Sequence, residues 1–515
     1  MTILTRVLVF VTLFLGLFSS LSAQTTPTPP PPPLGGPCPT ANSPNQSLAL
    51  SRDVLCTVPQ EYGPGGLVGI DHNGPLHSTT GGPFNHSAHF VNASVAALGP
   101  MNSEIGTQLS QLPIAAPTAG FVFTFNPSLG VVSRQTQNFG PILSDTADTV
   151  GRHKLFVGLS YQYFNFDKVG AVNLRNFGAV FRHETSDASK VCGSPLGSAA
   201  TGCLPGGAGE PIFEHDFIST TNGIGLTVNQ VTATADFGLT NRLDVGVAIP
   251  ILTVNMNASA NAFIDSYESP TTVSPGTIPP CCLHYFVNPA TVPGETVNGP
   301  PGTLSNQATF LRQNSASGIG DVIVRAKYQI IRGERAGLAT GVDVHTPTGD
   351  AFNFLGSGTW GTRPFLVFSY AGRIAPHAGI GYQINGNSIL GGDINTFTKA
   401  HLPNILNYSA GFDAGVVRRV SLSFDYLGQT LFSELGALAT TFTAPAACSL
   451  CQTPPVSTAP DITSIRENIN ESSVSLGGKF NPVGRLLVTM NVLFRVNDAG
   501  LHYKPAPMLG LSYGF

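Results

Sequence analysis

The chain has 515 residues, a net charge of −4, and only 10% charged side chains, against 58 glycines and 41 prolines. An ordinary soluble domain carries about 25% charged residues, so this composition does not supply the charge that would cover a soluble protein of this size. The glycine and proline content argues against an α-rich fold, and so small a net charge gives no footing for a nucleic-acid partner.

Arg6 precedes an apolar run from Val7 to Phe18, followed by Ser19-Ser20-Leu21-Ser22-Ala23. This is the order of a signal peptide, with cleavage expected after Ala23. The run is shorter than the about 20 residues a membrane-spanning helix needs. No cysteine follows the cleavage site, so no lipid anchor is expected. From residue 24 to about 119 regular patterning is weak. Pro29–Pro33 is a run of five prolines that favours a stiff polyproline spacer, and residues 63–89 are rich in Gly, Pro, Asn and His. Residues 24–119 read as a periplasmic tether, or as a plug tucked into the lumen of the barrel expected over residues 120–515. His72, His77, His86 and His89 lie here beside Asp71; without a regular element to set their spacing, a solvated polar segment is preferred to a metal site. The Asn-x-Ser triplets at Asn45, Asn85 and Asn92 match a glycosylation pattern that has no meaning in a bacterial envelope protein.

Beyond residue 119 the apolar residues recur at every second position. Leu155 to Tyr163, Leu243 to Ile251, Val322 to Ile330, Val420 to Tyr426 and Leu486 to Val496 are such runs, each near the roughly 9–11 residues of a tilted membrane strand. A short hairpin is also possible over Phe121–Phe125 and Val131–Gln137. Turns at 240–241, 333–334, 371–372, 417–418 and 482–483 alternate with long connections at 167–221, 258–316, 347–361, 387–403, 432–468 and 498–504. Tight turns on one side and long loops on the other are the mark of outer-membrane barrels. The chain ends in Leu509, Leu511, Tyr513 and Phe515, alternating with Gly510, Ser512 and Gly514. A terminal aromatic on such a strand resembles the signature by which bacterial outer-membrane proteins engage the barrel-assembly machinery. The fold expected is all-β: a transmembrane antiparallel β-barrel of 12–14 strands over residues 120–515, in the bacterial outer membrane and in contact with its lipid.

The eight cysteines fit an oxidising compartment. With the Phe515 end periplasmic, Cys192 and Cys203, Cys281 and Cys282, and Cys448 and Cys451 fall in external loops, where disulfides would pin mobile segments. Cys448-Ser449-Leu450-Cys451 lies between prolines without strand–helix context, which favours a loop staple over a redox or metal motif.

The same alternation assigns inward-facing polar residues: Asp244, Asp321, Arg325, Lys327, Asp343, His345, His377, Gln383, Asp413, Asp425, Arg485, Asn491 and Arg495. Charges of both signs either form ion pairs that satisfy the inner wall or line a solute path and hold a plug. No G-x-S-x-G is present and His345, His377 and His401 stand in unrelated contexts, so no enzyme, catalytic residue, metal site or cofactor is expected.

The string Asp236-Phe237-Gly238-Leu239-Thr240-Asn241-Arg242-Leu243-Asp244-Val245-Gly246-Val247 resembles a turn of the outer-membrane transporters associated with phenol and aromatic meta-cleavage pathways. Ser317-Gly318-Ile319-Gly320-Asp321, Thr346-Pro347-Thr348-Gly349-Asp350, Pro376-His377-Ala378 and Gly381-Tyr382-Gln383 are similar to that family too, over about residues 151–515. The family is related in kind to fatty-acid and toluene uptake channels. The resemblance therefore implies passage of small hydrophobic molecules, aromatic or aliphatic, with exit through a gap in the wall. Pro250 and Pro364 interrupt strand-like runs, and a proline removes a ladder hydrogen bond; Pro250, in mid-strand, is the expected wall defect. The alternatives are a general diffusion pore for polar solutes and a structural or adhesive barrel that binds a partner through its long loops.

Overall fold

The computed structural model describes residues 49–51, 54, 67–70, 84–85, 87–115, 123–126, 131–134, 138–182, 217–265, 283–287, 295–297, 304–333, 335–394, 398–443 and 458–515. The signal peptide, the proline run and all eight cysteines lie outside the described residues.

Twelve antiparallel strands close into a barrel. They are β1 (Leu155–Val169, resumed at Phe177–Arg182), β2 (Phe217–Gly238), β3 (Leu243–Asp265), β4 (Gln307–Ile319, resumed at Ile323–Arg332), β5 (Ala336–His345) and β6 (Gly361–Tyr370). The circuit continues with β7 (Ile374–Asn385), β8 (Ile405–Val417), β9 (Val420–Thr443), β10 (Thr458–Phe480), β11 (Leu486–Arg495) and β12 (Ala506–Gly514). Each strand pairs with its sequence neighbours, and β12 pairs with β1 from Met508↔Gln162 to Gly514↔Phe156. Phe515 N–H donates to Leu155 O at 2.7 Å, so the final residue completes the seam. No helix among the described residues is long and apolar enough to cross a membrane; crossing is by strands.

The exterior changes character partway up. On β3, Leu243, Val245, Val247, Ile249 and Ile251 face outward, and the outward positions above them are Thr253, Asn255, Asn257, Ser259 and Asn261. The inward positions change the opposite way, from Asp244 below to Leu252, Val254 and Met256 above. On β10 the outward set likewise passes from Phe480, Leu476 and Val474 to Asn470, Asn468 and Arg466. The nine residues from Leu243 to Ile251 match the length of a tilted membrane strand, so the strands continue beyond the bilayer as a wall wetted outside and greasy inside. Aromatics mark the boundary: Tyr161 donates to Asn229 Oδ1 at 2.7 Å and Tyr426 Oη lies 2.8 Å from Ser472 Oγ. Such rings belong at the interface between lipid and water. The expected external connections at 167–221, 258–316 and 432–468 are therefore shorter than the sequence suggested. Residues 217–221, 258–265, 307–316, 432–443 and 458–468 are strand, disguised because their apolar face has switched sides. The expected hairpin forms between Phe123–Asn126 and Val131–Arg134 as a two-stranded sheet of its own, outside the barrel circuit.

Helix α1 (Ser87–Leu109) lies within the upper lumen. Leu98, Met101, Ile105 and Leu109 recur at helical spacing and join a core with Leu226, Val254, Leu390, Leu493 and Leu501. Because the wall surrounds it, the opposite face is buried as well, and its polar groups find partners. Ser103 donates to the Leu390 carbonyl, and Gln108 Oε1 accepts from Leu501 N–H. Gly106 allows the close approach: a Cβ there would come within 3.1 Å of the Phe354 ring.

Candidate functional site

The lower lumen is crossed by residues 138–150, and the inward charges of the wall hold that strap in place. Arg325 on β4 sends one guanidinium nitrogen to both oxygens of Asp145 at 2.8 Å, and Nε and the other nitrogen to Asp343 on β5 at 2.6 and 2.8 Å. Arg363 on β6 also pairs with Asp343, at 2.5 Å. Lys327 donates to the carbonyls of Thr146 and Asp148 at 3.1 and 2.7 Å, and Asp244 accepts from Val150 N–H at 2.9 Å. Lys479, absent from the inward set expected of the sequence, donates to Phe139 O and Pro141 O at 3.0 and 2.5 Å. A buried charge is tolerated only when paired or hydrogen-bonded, and here the strap supplies those partners.

His377 joins Asp425 at 2.6 Å, with Asp413 at 3.5 Å, inside three adjacent strands. Arg495 pairs with Glu471 at 2.9 Å and lies over the Tyr503 ring at 5.5 Å. Gln383 donates to Asn385 Oδ1 at 2.9 Å, and Asn491 Oδ1 accepts from Ser475 at 2.9 Å. Arg485 is set apart from the group: it is exposed in the turn between β10 and β11.

Between the strap below and the C-terminal end of α1 above lies a cavity of about 250 Å³. Leu109, Leu112, Phe166, Leu252, Leu355 and Leu501 form apolar parts of its lining, and Arg325, His345, Arg363, Asn407, Glu471 and Arg495 form polar parts. An apolar cavity of about 150 Å³ already takes benzene.

The cavity reaches the wall where β4 breaks. Ile319 pairs with Ile251, but Ile323 pairs with Ala248, so three residues, 320–322, stand opposite two, 249–250. This is a β-bulge, and it switches the inward set from even to odd positions, which is why Arg325 and Lys327 point into the lumen. Gly320 N–H donates to Pro250 O at 2.8 Å. The remaining bulge groups are satisfied by residues 346–350: Thr348 Oγ1 donates to Gly320 O at 2.7 Å and accepts from Val322 N–H at 2.9 Å, and Thr346 N–H donates to Val322 O at 2.9 Å. Asp321 turns inward and accepts from Gly349 N–H and Ser357 N–H at 3.1 and 2.7 Å. The loop so held lays Leu355 across the inner side of the bulge. A Cβ on Gly318 would meet Leu355 Cδ1 at 3.0 Å, and one on Gly320 would meet the Pro250 ring at 3.0 Å. On the β2 side the ladder runs unbroken through Thr232↔Pro250. Pro364 leaves a smaller gap, with no β6–β7 pairing at residues 363–364.

Helix α1 carries a pH-sensitive group. Burial pushes the Glu104 carboxyl up to about 8, reinforced by the Glu471 and Glu467 carboxylates and opposed by the Ala437 N–H and the Gln108 amide. Glu434 on β9 is a further buried carboxyl acting with this group, while Arg495 and Arg466 are the cations around it. A glutamate released to solvent ionises near about 4.5, so docking of α1 is strongest below that pH and weakens as pH rises toward 8. Opening of residues 98–109, read as amide exchange divided by its intrinsic base-catalysed rate, is expected to rise by as much as about tenfold per pH unit across this window. The Glu104→Gln variant is expected to flatten the trend; an unchanged slope in that variant would refute the assignment.

The closed cylinder with a lipid-facing belt and an occupied lumen defines an outer-membrane β-barrel. Residues 226–430 match the family described as "Putative MetA-pathway of phenol degradation". The motifs at 236–247, 317–321, 346–350 and 376–383 fall inside that match, which bears out the resemblance they carried; the match is narrower than the expected 151–515. No curated protein matches the chain. Among solved structures, an outer membrane channel from Pseudomonas putida F1 aligns at 10% identity with a TM-score of 0.39, covering 72% of this chain and 99% of that one. A Pseudomonas aeruginosa FadL homologue and the P. putida toluene transporter TodX each align at 10% identity with a TM-score of 0.27, covering 71% of this chain and 90% of theirs.

Proposed function

We propose that this channel carries small hydrophobic molecules through the outer membrane, holding them in the 250 Å³ cavity and releasing them sideways at the bulge of Pro250 and Gly320–Val322. The observation that supports this reading best is where the cavity meets the wall. Chain segments cross the lumen above and below it, while its side reaches a break in the β3–β4 ladder covered from within by one leucine. A small apolar solute suits the lining near the break, and phenol degradation in the family's description concerns solutes of that size. A general diffusion pore for ions or sugars would need an open axial path past both segments.

Vesicles with lipopolysaccharide in the outer leaflet, loaded with the mature chain, test this by side-by-side uptake of toluene, a fatty acid and a sugar. Uptake of an apolar solute over the sugar is the expected result. Leu355→Ala is expected to raise that uptake several-fold and Leu355→Trp to suppress it. Equal or absent uptake of the apolar solutes, or insensitivity to both leucine variants, would overturn the reading.

A further inference from the structure

An inward row crosses five strands beside the bulge: Ala248, Ile323, His345, Gly361 and Asn385 stand in register from β3 to β7. Two of its members are aliphatic, and His345 is the first polar side chain met on moving away from Pro250. The imidazole is buried and lines the cavity, and its Nε2 has no hydrogen-bond partner in the protein. Its neighbours in the ladder do not satisfy it. Gly361, directly opposite, has no side chain. Asp343 is taken by Arg325 and Arg363, and Gln383 by Asn385. Leaving a buried polar atom unpaired is costly, so the position is explained if something inside the cavity completes the bond.

We propose that His345 is the polar anchor of the cavity's ligand, and that the ligand is a small apolar molecule carrying one hydroxyl group, rather than a plain hydrocarbon or a carboxylate anion. The proposal rests on the channel reading above and names its substrate class. A hydroxyl both donates and accepts, so it satisfies Nε2 in either imidazole tautomer, whereas a hydrocarbon satisfies neither. A carboxylate only accepts, and the charges of Arg325 and Arg363 are already balanced by Asp145 and Asp343. The apolar body of the ligand then lies toward Leu252 and Leu355, next to the break in β4.

The test is ligand-observed NMR titration of the full mature chain in lipid nanodiscs, with empty nanodiscs subtracted, using p-cresol, p-xylene and p-toluate. The first two differ only in a hydroxyl against a methyl. One hydrogen bond gained in a desolvated site corresponds to a preference for p-cresol of up to about tenfold. His345→Leu is expected to abolish that preference while p-xylene binds as before or better. His345→Gln, which keeps a donor and an acceptor, is expected to retain most of it. An equal affinity of the unaltered protein for p-cresol and p-xylene, a preference surviving His345→Leu, or tightest binding of p-toluate would each overturn the anchor and leave the channel reading intact. Failure of all three probes to bind would end both.

Discussion

Replacing Arg325 by leucine is expected to cost about 3–5 kcal/mol of stability, the scale for removing one partner of a buried ion pair. The guanidinium is 7% exposed and engages Asp145 on the strap and Asp343, which is fully buried, on β5. Leucine fills much of the volume and stacks as well on Phe365, whose ring lies 5.0 Å from the guanidinium carbon, so the loss is electrostatic in origin. Asp343 retains Arg363, whereas Asp145 loses both of its bonds to Arg325. The damage should therefore concentrate in residues 138–150. Urea titration of the micelle-folded protein measures the total, and amide exchange of the strap locates it. Adding Asp145→Asn to Arg325→Leu is expected to recover part of the loss. A cost below about 1 kcal/mol would mean that the pair contributes no more than an exposed one.

Deleting residues 24–150, which removes both α1 and the strap, is expected to convert a chain that passes no steady current in planar bilayers into a conducting one. Those residues include α1 and the segment that descends from it, whose Pro113 carbonyl accepts from Gln230. With them gone, the upper lumen is lined by the groups that now pack on the helix. Apolar uptake should fall at the same time, because Leu109 and Leu112 form part of the cavity roof. Met101→Asp supplies a milder variant, since Met101 is fully buried and an unpaired carboxylate there disfavours docking. Steady conductance of the full chain, or a silent deletion variant that is still folded by heat-modified gel mobility, would remove α1 and the strap as the barrier.

The barrel was legible because burial in lipid leaves a period of two that polar loops do not imitate. All five short turns fall where the sequence placed them. The long strands were harder. Above Ile251 the apolar residues of β3 move to the inward face, so a search for one continuous greasy face ends at the membrane surface while the strand does not. Helix α1 was missed for another reason: Gly99, Pro100 and Gly106 break the propensity signal, and only the spacing of Leu98, Met101, Ile105 and Leu109 remained to reveal it. Parity alone assigned the inward charges, and it carries no information about their partners. Arg325 and Asp145 are 180 residues apart, and nothing local in residues 138–150 advertises a strap. Lys479 escaped notice because the alternation around it is broken by Gly477 and Gly478, and Arg485 was assigned inward although it belongs to the turn. The two motifs at 317–321 and 346–350 read as separate turns, and their meeting at one bulge is a tertiary fact.

The strap and α1 are N-terminal to the first strand, yet they lie inside a ring whose last gap is closed by the final strand. A ring already zipped between residues 155–169 and 506–514 leaves a segment this bulky only the two mouths of the cylinder as a way in. Placing the N-terminal part before the two chain ends meet avoids that passage. The topology therefore favours one order of assembly: contents first, hoop afterwards. A variant whose seam is locked early should yield empty hoops, even with every N-terminal residue still attached.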